Sequence, residues 1–220
     1  MKERSIVPYV VFSHPNRADE WKRIQDKFGT AVQEGDMFLF ETSSVIALPA
    51  LKCSLFHYVQ YWALTNAAGE VREVSFNEAP HPFNENIDAV VLVYLEDRCV
   101  PANVNFRTTK CPAAVTMSKA LAECHDPAWA ERSPAHRETL SIQAPWARFH
   151  SIITLAPTRI GKQSGRPYRT TQCAIAPTGV VEARLLDAFQ RDENSMKALD
   201  DVALRFQSRM AEMQAKVAKT

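Results

Sequence analysis

Residues Arg159 to Gln172, RIGKQSGRPYRTTQ, hold four cations, two glycines, one tyrosine and no acid. Three chemistries suit such a stretch: a phosphate cradle, a nucleic-acid hairpin, or a solvated loop with surplus charge. A nucleotide P-loop does not fit. That motif needs Lys directly after its second glycine and must open a helix, whereas here Arg166 follows Gly165 and PYRTTQCAIAP alternates like a strand. Other reactive groups carry weaker signals. Cys111, Cys124, His125 and His136 lie close in sequence, but no CxxC or HxxxH pair anchors a zinc site. Cys124 and His125 are adjacent, and adjacent side chains on a helix do not face each other, so they make no ready nucleophile–base pair. Asp192–Glu193 and Asp200–Asp201 read as solvated helix faces. No metal, cofactor or catalytic residue is expected.

The basic stretch gains weight from its surroundings. Net charge is only +1, but residues 1–100 hold 9 Lys/Arg against 14 Asp/Glu, and residues 101–180 hold 10 against 4. From Thr139 to Val181 there is no acid and there are five cations. WARFHSIITLAP and PYRTTQCAI would be two strands joined by the cationic turn. Side chains alternate faces along a strand, so Arg148 and His150 share one face and Tyr168 and Thr170 another. Cations and rings are thereby interleaved along one ribbon, which suits single-stranded nucleic acid: cations follow phosphates and rings stack on bases. FRTTK (Phe106 to Lys110) repeats the combination, and FHYVQYW (Phe56 to Trp62) adds aromatics without charge. The plain alternative is that the rings fill a core. That is the expectation for Phe56, Val59 and Phe149, whereas Tyr58, Tyr61, Trp62 and Tyr168 carry polar handles suited to a half-exposed platform.

The elements that must position these groups follow from periodicity. VPYVVF (Val7 to Phe12) and DMFLFET read as strands, and RADEWKRIQDKFG (Arg17 to Gly29) as a helix stopped by glycine. ALKCSLFHYVQYWALT is compatible with a helix, but its aromatic and β-branched content favours a long strand. NAAGE then makes a turn and VREVSF the return strand. AVVLVYL, within the apolar run Ile87 to Leu95 that also holds Asp88, predicts a strand buried on both faces, with VNFRTTK as its neighbour. AAVTMSKALAEC, DPAWAE and SPAHRE predict a helical insertion over Ala113 to Thr139, the last two through N-cap–Pro pairs. The C-terminal 40 residues show apolar positions at spacings of 3, 4 or 7, the mark of one long amphipathic helix or two in line.

With 220 residues and 46% hydrophobic content, the chain suits one domain with an appendage. No apolar run approaches the ~20 residues of a membrane span, and the N-terminus lacks the pattern of a signal peptide. Five widely spaced cysteines without a CxxC predict no disulfide framework and a cytoplasmic setting, the host's if the chain is phage-encoded.

WARFHSIITL followed by KQSGRPYRTTQCAIAPT, preceded by VVLVYLEDRCVPANVNFRTTK and a helical insertion, resembles the OB-fold single-stranded DNA-binding proteins of tailed bacteriophages and related mobile elements. The likeness covers residues 30–180. It implies sequence-independent binding of single strands in replication or recombination, without catalysis. Many such proteins end in an acidic tip, whereas this chain ends EMQAKVAKT. The expected fold is β-rich α+β: an OB-like antiparallel β-barrel over residues 1–180, with a helical insertion near 113–139, and a C-terminal helical extension over 181–220. Arg107, Lys110, Arg148, Arg159, Lys162, Arg166 and Arg169 are expected on phosphates. Tyr168, Trp62, Tyr58, Tyr61 and Phe106 are expected to stack on bases. The partner is single-stranded DNA, with RNA a possible substitute, and the C-terminal helix is expected to form a homo-oligomer. Alternatives are an oligomeric assembly protein organised by that helix and a small enzyme using Cys124 or a histidine.

Overall fold

The structure, a computed structural model, describes residues 7–12, 22, 25–26, 37–42, 44–66, 71–124, 147–157, 159–162, 165 and 167–217. The chain is β-rich, with a sheet curled into a half-barrel and a few helices. The strands are β1 (Tyr9–Phe12), β2 (Met37–Phe40), β3 (Val45–Leu48), β4 (Leu51–Thr65), β5 (Val71–Ser75), β6 (Asn84–Tyr94), β7 (Cys99–Arg107), β8 (Phe149–Leu155), β9 (Arg159–Ile160), β10 (Pro167–Tyr168) and β11 (Thr171–Pro177). A 3-10 turn (Thr108–Lys110) leads into helix α1 (Cys111–Cys124), and α2 (Val180–Arg191) and α3 (Glu193–Val217) follow β11.

Nine strands form one sheet in the order β11-β8-β4-β6-β7-β1-β2-β3, with β5 attached to β4, and β9 and β10 form a separate ribbon. The pairings are antiparallel except where β1 runs parallel to β7. The long strand expected before NAAGE is β4, and VREVSF returns beside it as β5. Residues 67–70 of that turn, most of the helix expected over 17–29, and residues 125–146 of the insertion lie outside the described residues.

β6 explains the layering. Its apolar run is buried on both faces, as the lack of alternation predicts. Ile87, Ala89, Val91 and Val93 point to the front, where Phe106 of β7 and Ala113, Ala114 and Met117 of α1 complete a core. Val90, Leu92 and Tyr94 point to the back and meet Leu186 and Phe189 of α2 and Leu199, Val202, Phe206 and Met210 of α3. The apolar stripe of the C-terminal segment thus packs on the back of the sheet, while apolar residues such as Leu204 lie outside it and are exposed. The segment is two helices. Asp192 is extended between them, and its carboxylate accepts from the Ser195 backbone N–H (3.1 Å) and hydroxyl (2.6 Å), capping α3. Gly179 opens α2: a Cβ there would sit 2.7 Å from Glu182 Oε2. The glycine leaves room for that carboxylate to fold back and pair with Lys52 of β4. No helix among the described residues is long and apolar enough to cross a membrane.

Candidate nucleic-acid interface

The basic stretch folds as a hairpin tip and its root. β9 and β10 pair so that Tyr168 stands directly opposite Arg159, and Pro167 opposite Ile160. Directly opposed residues share a face of a ribbon, so the Tyr168 ring and the Arg159 guanidinium lie side by side. The tip closes with Gly165 N–H donating to Gly161 O at 2.9 Å, and Gly165 takes φ +61, the left-handed region that glycine enters without strain. Arg159 and Lys162 are exposed, and among the described residues neither pairs with a carboxylate. Arg166 lies outside the described residues.

PYRTTQCAIAP was expected as one strand, yet pairing lapses at Arg169 and Thr170. The physical reason is that Arg169 O is used elsewhere, while Thr170 O still bonds in the β8 register. Thr170 O accepts from Ala156 N–H (2.8 Å), while Arg169 O accepts from Thr109 Oγ1 (2.9 Å) and from Lys110 Nζ. Thr171 Oγ1 returns a bond to Lys110 O at 2.9 Å. Three side chain–backbone bonds therefore stitch the hairpin root to the 3-10 turn at the end of β7. Thr108 in that turn has φ +44, a strained value for a β-branched residue. The stitch also sets position. Cys111 Sγ, next to Lys110, contacts Phe106 O (3.4 Å) and Glu85 O (3.6 Å), and Glu85 pairs across the strands with Trp62. The hairpin root thus sits at the end of the sheet that carries Trp62 and Arg107.

Three expected contact residues lie elsewhere. Phe106 is 0% exposed and belongs to the front core, because alternation puts it with Val104 beneath α1. Tyr61 is 3% exposed; its hydroxyl donates to buried Asp88 at 3.2 Å, and burial, then the Asp88 charge, pushes its pKa well up. Neither ring can stack on a base. Lys110 is 3% exposed, so its ammonium cannot meet a phosphate directly; burial, then the nearby Arg169 charge, lowers its pKa to about 8. Tyr58, at 38% exposed, and half-buried Trp62 stand on the front face of β4, since Tyr58 pairs with Ala89 and Trp62 with Glu85. Arg148 is half-buried before β8, and Arg107 is exposed at the end of β7, with its Nε donating to Asn105 Oδ1 at 2.5 Å. The face proposed for Arg148 and His150 is covered at His150, which packs edge-on against Tyr94 at 6.2 Å between ring centroids under the C-terminal helices. Its pKa is lowered by burial and by the Lys52 charge, against an opposing effect of Glu182.

Sequence reasoning missed a polar network on the back face. Asp88 accepts from Tyr61 and Asn105 and pairs with Arg209 of α3 at 3.2 Å. The available signal was a lone acid in the apolar run of β6. Burial pushes the Cys99 and Cys111 thiols up to about 12, and no metal-binding cluster occurs among the described residues; the side chain of Cys124 lies outside them. His125 and His136 lie outside those residues.

Compared with known proteins, the chain matches no family model, no curated protein and no solved structure.

Proposed function

We propose that this protein binds single-stranded nucleic acid, DNA foremost, without sequence preference and without catalysis, in the replication or recombination of a phage or mobile element. One observation carries the reading. The Arg159–Tyr168 pair, its arginine exposed and its tyrosine half-buried, and the exposed Lys162 project on a ribbon whose root is bonded to the end of the sheet that carries Trp62 on its front face and Arg107 on its back. Cations that follow phosphates and rings that stack on bases are thereby offered on a fixed support, and fixing them beforehand lowers the ordering cost of binding. Phosphate contacts fall to Arg159, Lys162, Arg166, Arg169, Arg107 and Arg148, and stacking to Tyr168, Trp62 and Tyr58. The OB-like barrel belongs to this reading and rests on the resemblance; the described pairings form an open path from β11 to β3.

The test is a fluorescence titration of oligo-dT, with oligo-U in parallel. At about 0.7 per phosphate on single strands, these six contacts give a log–log salt slope of about −4 between roughly 50 and 200 mM salt. Binding that ignores salt, or no binding, refutes the proposal. Preference for oligo-U reassigns the partner to RNA.

A further inference from the structure

β1 is longer than its pairing. It bonds to β7 only at Tyr9–Asn103 and Val10–Val104, although β1 continues to Phe12 and β7 to Arg107. Where the strands part, a cleft of about 450 Å³ opens, bounded by Phe206 and Arg209 of α3. Three features of its wall point to a ligand. First, Asn103 Oδ1 is buried there without a hydrogen-bond partner among the described residues. A buried acceptor is costly to leave unpaired, and it calls for an N–H or O–H donor. Second, two guanidiniums line the cleft, each held by one nitrogen: Arg107 through Nε on Asn105, and Arg209 through Nη2 on Asp88. Among the described residues no partner takes the remaining nitrogens of either fork, and a guanidinium matches phosphate geometry well. Third, Tyr9 lines the cleft at 39% exposed and is stacked on Phe40, with centroids 4.8 Å apart and planes 4° from parallel. One side of the ring is therefore supported, which leaves a stiff platform.

The cleft is continuous with the basic hairpin. Lys110 lines it, and the Lys110 ammonium donates to Arg169 O at the hairpin root. Asp88 balances one charge and orients Arg209, and Arg107 and Lys110 add positive charge to the wall.

We infer that this cleft holds one nucleotide of the bound strand, with its phosphate on Arg107 and Arg209, its base against Tyr9, and a base N–H donating to Asn103 Oδ1. Every base offers such a donor, so the contact leaves binding tolerant of sequence. The inference rests on the nucleic-acid reading above, and photo-cross-linking separates the two. The full-length chain is irradiated with oligo-dT carrying 5-iodouracil, and separately with 5-iodo-dUMP, and the adducts are mapped by mass spectrometry. An oligonucleotide adduct on Tyr9 is the expected result. Adducts on Tyr168, Tyr58 or Trp62 without Tyr9 overturn the cleft assignment and leave the reading standing. A Tyr9 adduct with the free nucleotide alone makes the cleft a mononucleotide site and overturns its place on the strand. Absence of binding overturns both. In parallel, Tyr9→Leu should weaken oligo-dT binding about tenfold, the loss of one stacked base. Arg107→Gln should reduce the salt slope by about 0.7. Unchanged affinity and slope in both variants count against the inference.

Discussion

Lys110 is the residue through which the hairpin root can be tested most directly. It is almost fully buried, its ammonium bonds a backbone carbonyl, and the nearby guanidinium of Arg169 repels it. Its pKa falls from 10.5 to about 8. Because the folded value is below the unfolded one, the unfolded chain binds more protons between those limits, and stability must rise with pH there. Below pH 8 the full penalty for the buried charge applies; above pH 10.5 it is gone. At 1.36 kcal/mol per pH unit the interval amounts to about 3 kcal/mol. Lys110→Met removes the titrating group and keeps most of the side-chain volume, at the cost of one hydrogen bond worth about 1 kcal/mol. Urea unfolding of both proteins from neutrality to pH 10.5 isolates the effect, since other groups cancel in the difference. The wild type should gain about 3 kcal/mol on the variant across that range. Parallel stability curves would show that Lys110 titrates as a solvated lysine, and the account of the root would fail.

Two further outcomes separate core from interface. Phe106→Ala should lose about 3–5 kcal/mol in urea unfolding as a core truncation. Tyr168→Ala should lose less than about 1 kcal/mol and instead weaken oligo-dT binding about tenfold; the reverse pattern would restore Phe106 to the interface and remove Tyr168. For the Lys52–Glu182 pair, burial alone would raise the Glu182 pKa, but the hydrogen bond and charge of Lys52, with help from its own backbone N–H and His150, bring it below 4.5. A depressed acid contributes stability above pH 4.5 that is lost as pH falls through its folded value, so Glu182→Gln should flatten the acid limb of the unfolding curve. An identical limb in both proteins would mean the pair is solvated.

Much of the frame was legible from local pattern. β4 could be read from its β-branched and aromatic density, β6 from its unbroken apolar run, and the C-terminal helices from their stripe. The partners of these elements were not legible, because they depend on contacts distant in sequence. Nothing in VPYVVF states that β1 lies parallel beside β7, and nothing in the stripe states that it packs on the back of β6. The misplaced contact residues have particular causes. In VNFRTTK, Val104 and Phe106 alternate with Asn103, Asn105 and Arg107, so the buried face of Phe106 was written in the alternation; the adjacent cations drew it to the surface instead. The hydroxyl of Tyr61 suits an exposed platform, but a buried tyrosine equally needs a partner, and Asp88, conspicuous in its apolar run, is that partner. The burial of Lys110 left no local trace, because it follows from the curl of the sheet that brings β11 across to the end of β7.

That same curl explains why the positive charge is gathered and not dispersed. Sequence segments separated by some 60 residues meet at Lys110 and Arg169, where the ammonium feels a guanidinium and no carboxylate among its main influences. A fold selected for stability alone would place an acid there or an apolar side chain, since a buried ammonium beside a half-buried guanidinium raises the free energy of the native state. The strained Thr108 lies two residues away, and its backbone too is held against its preference. Both costs fall in one turn, between the exposed cations of the hairpin and the guanidiniums of the β1–β7 cleft. If the protein binds an anionic strand as proposed, a strand laid across that turn would relieve the repulsion from which Lys110 suffers, and the local cost in the free protein and the proposed attraction for phosphate would have one electrostatic origin.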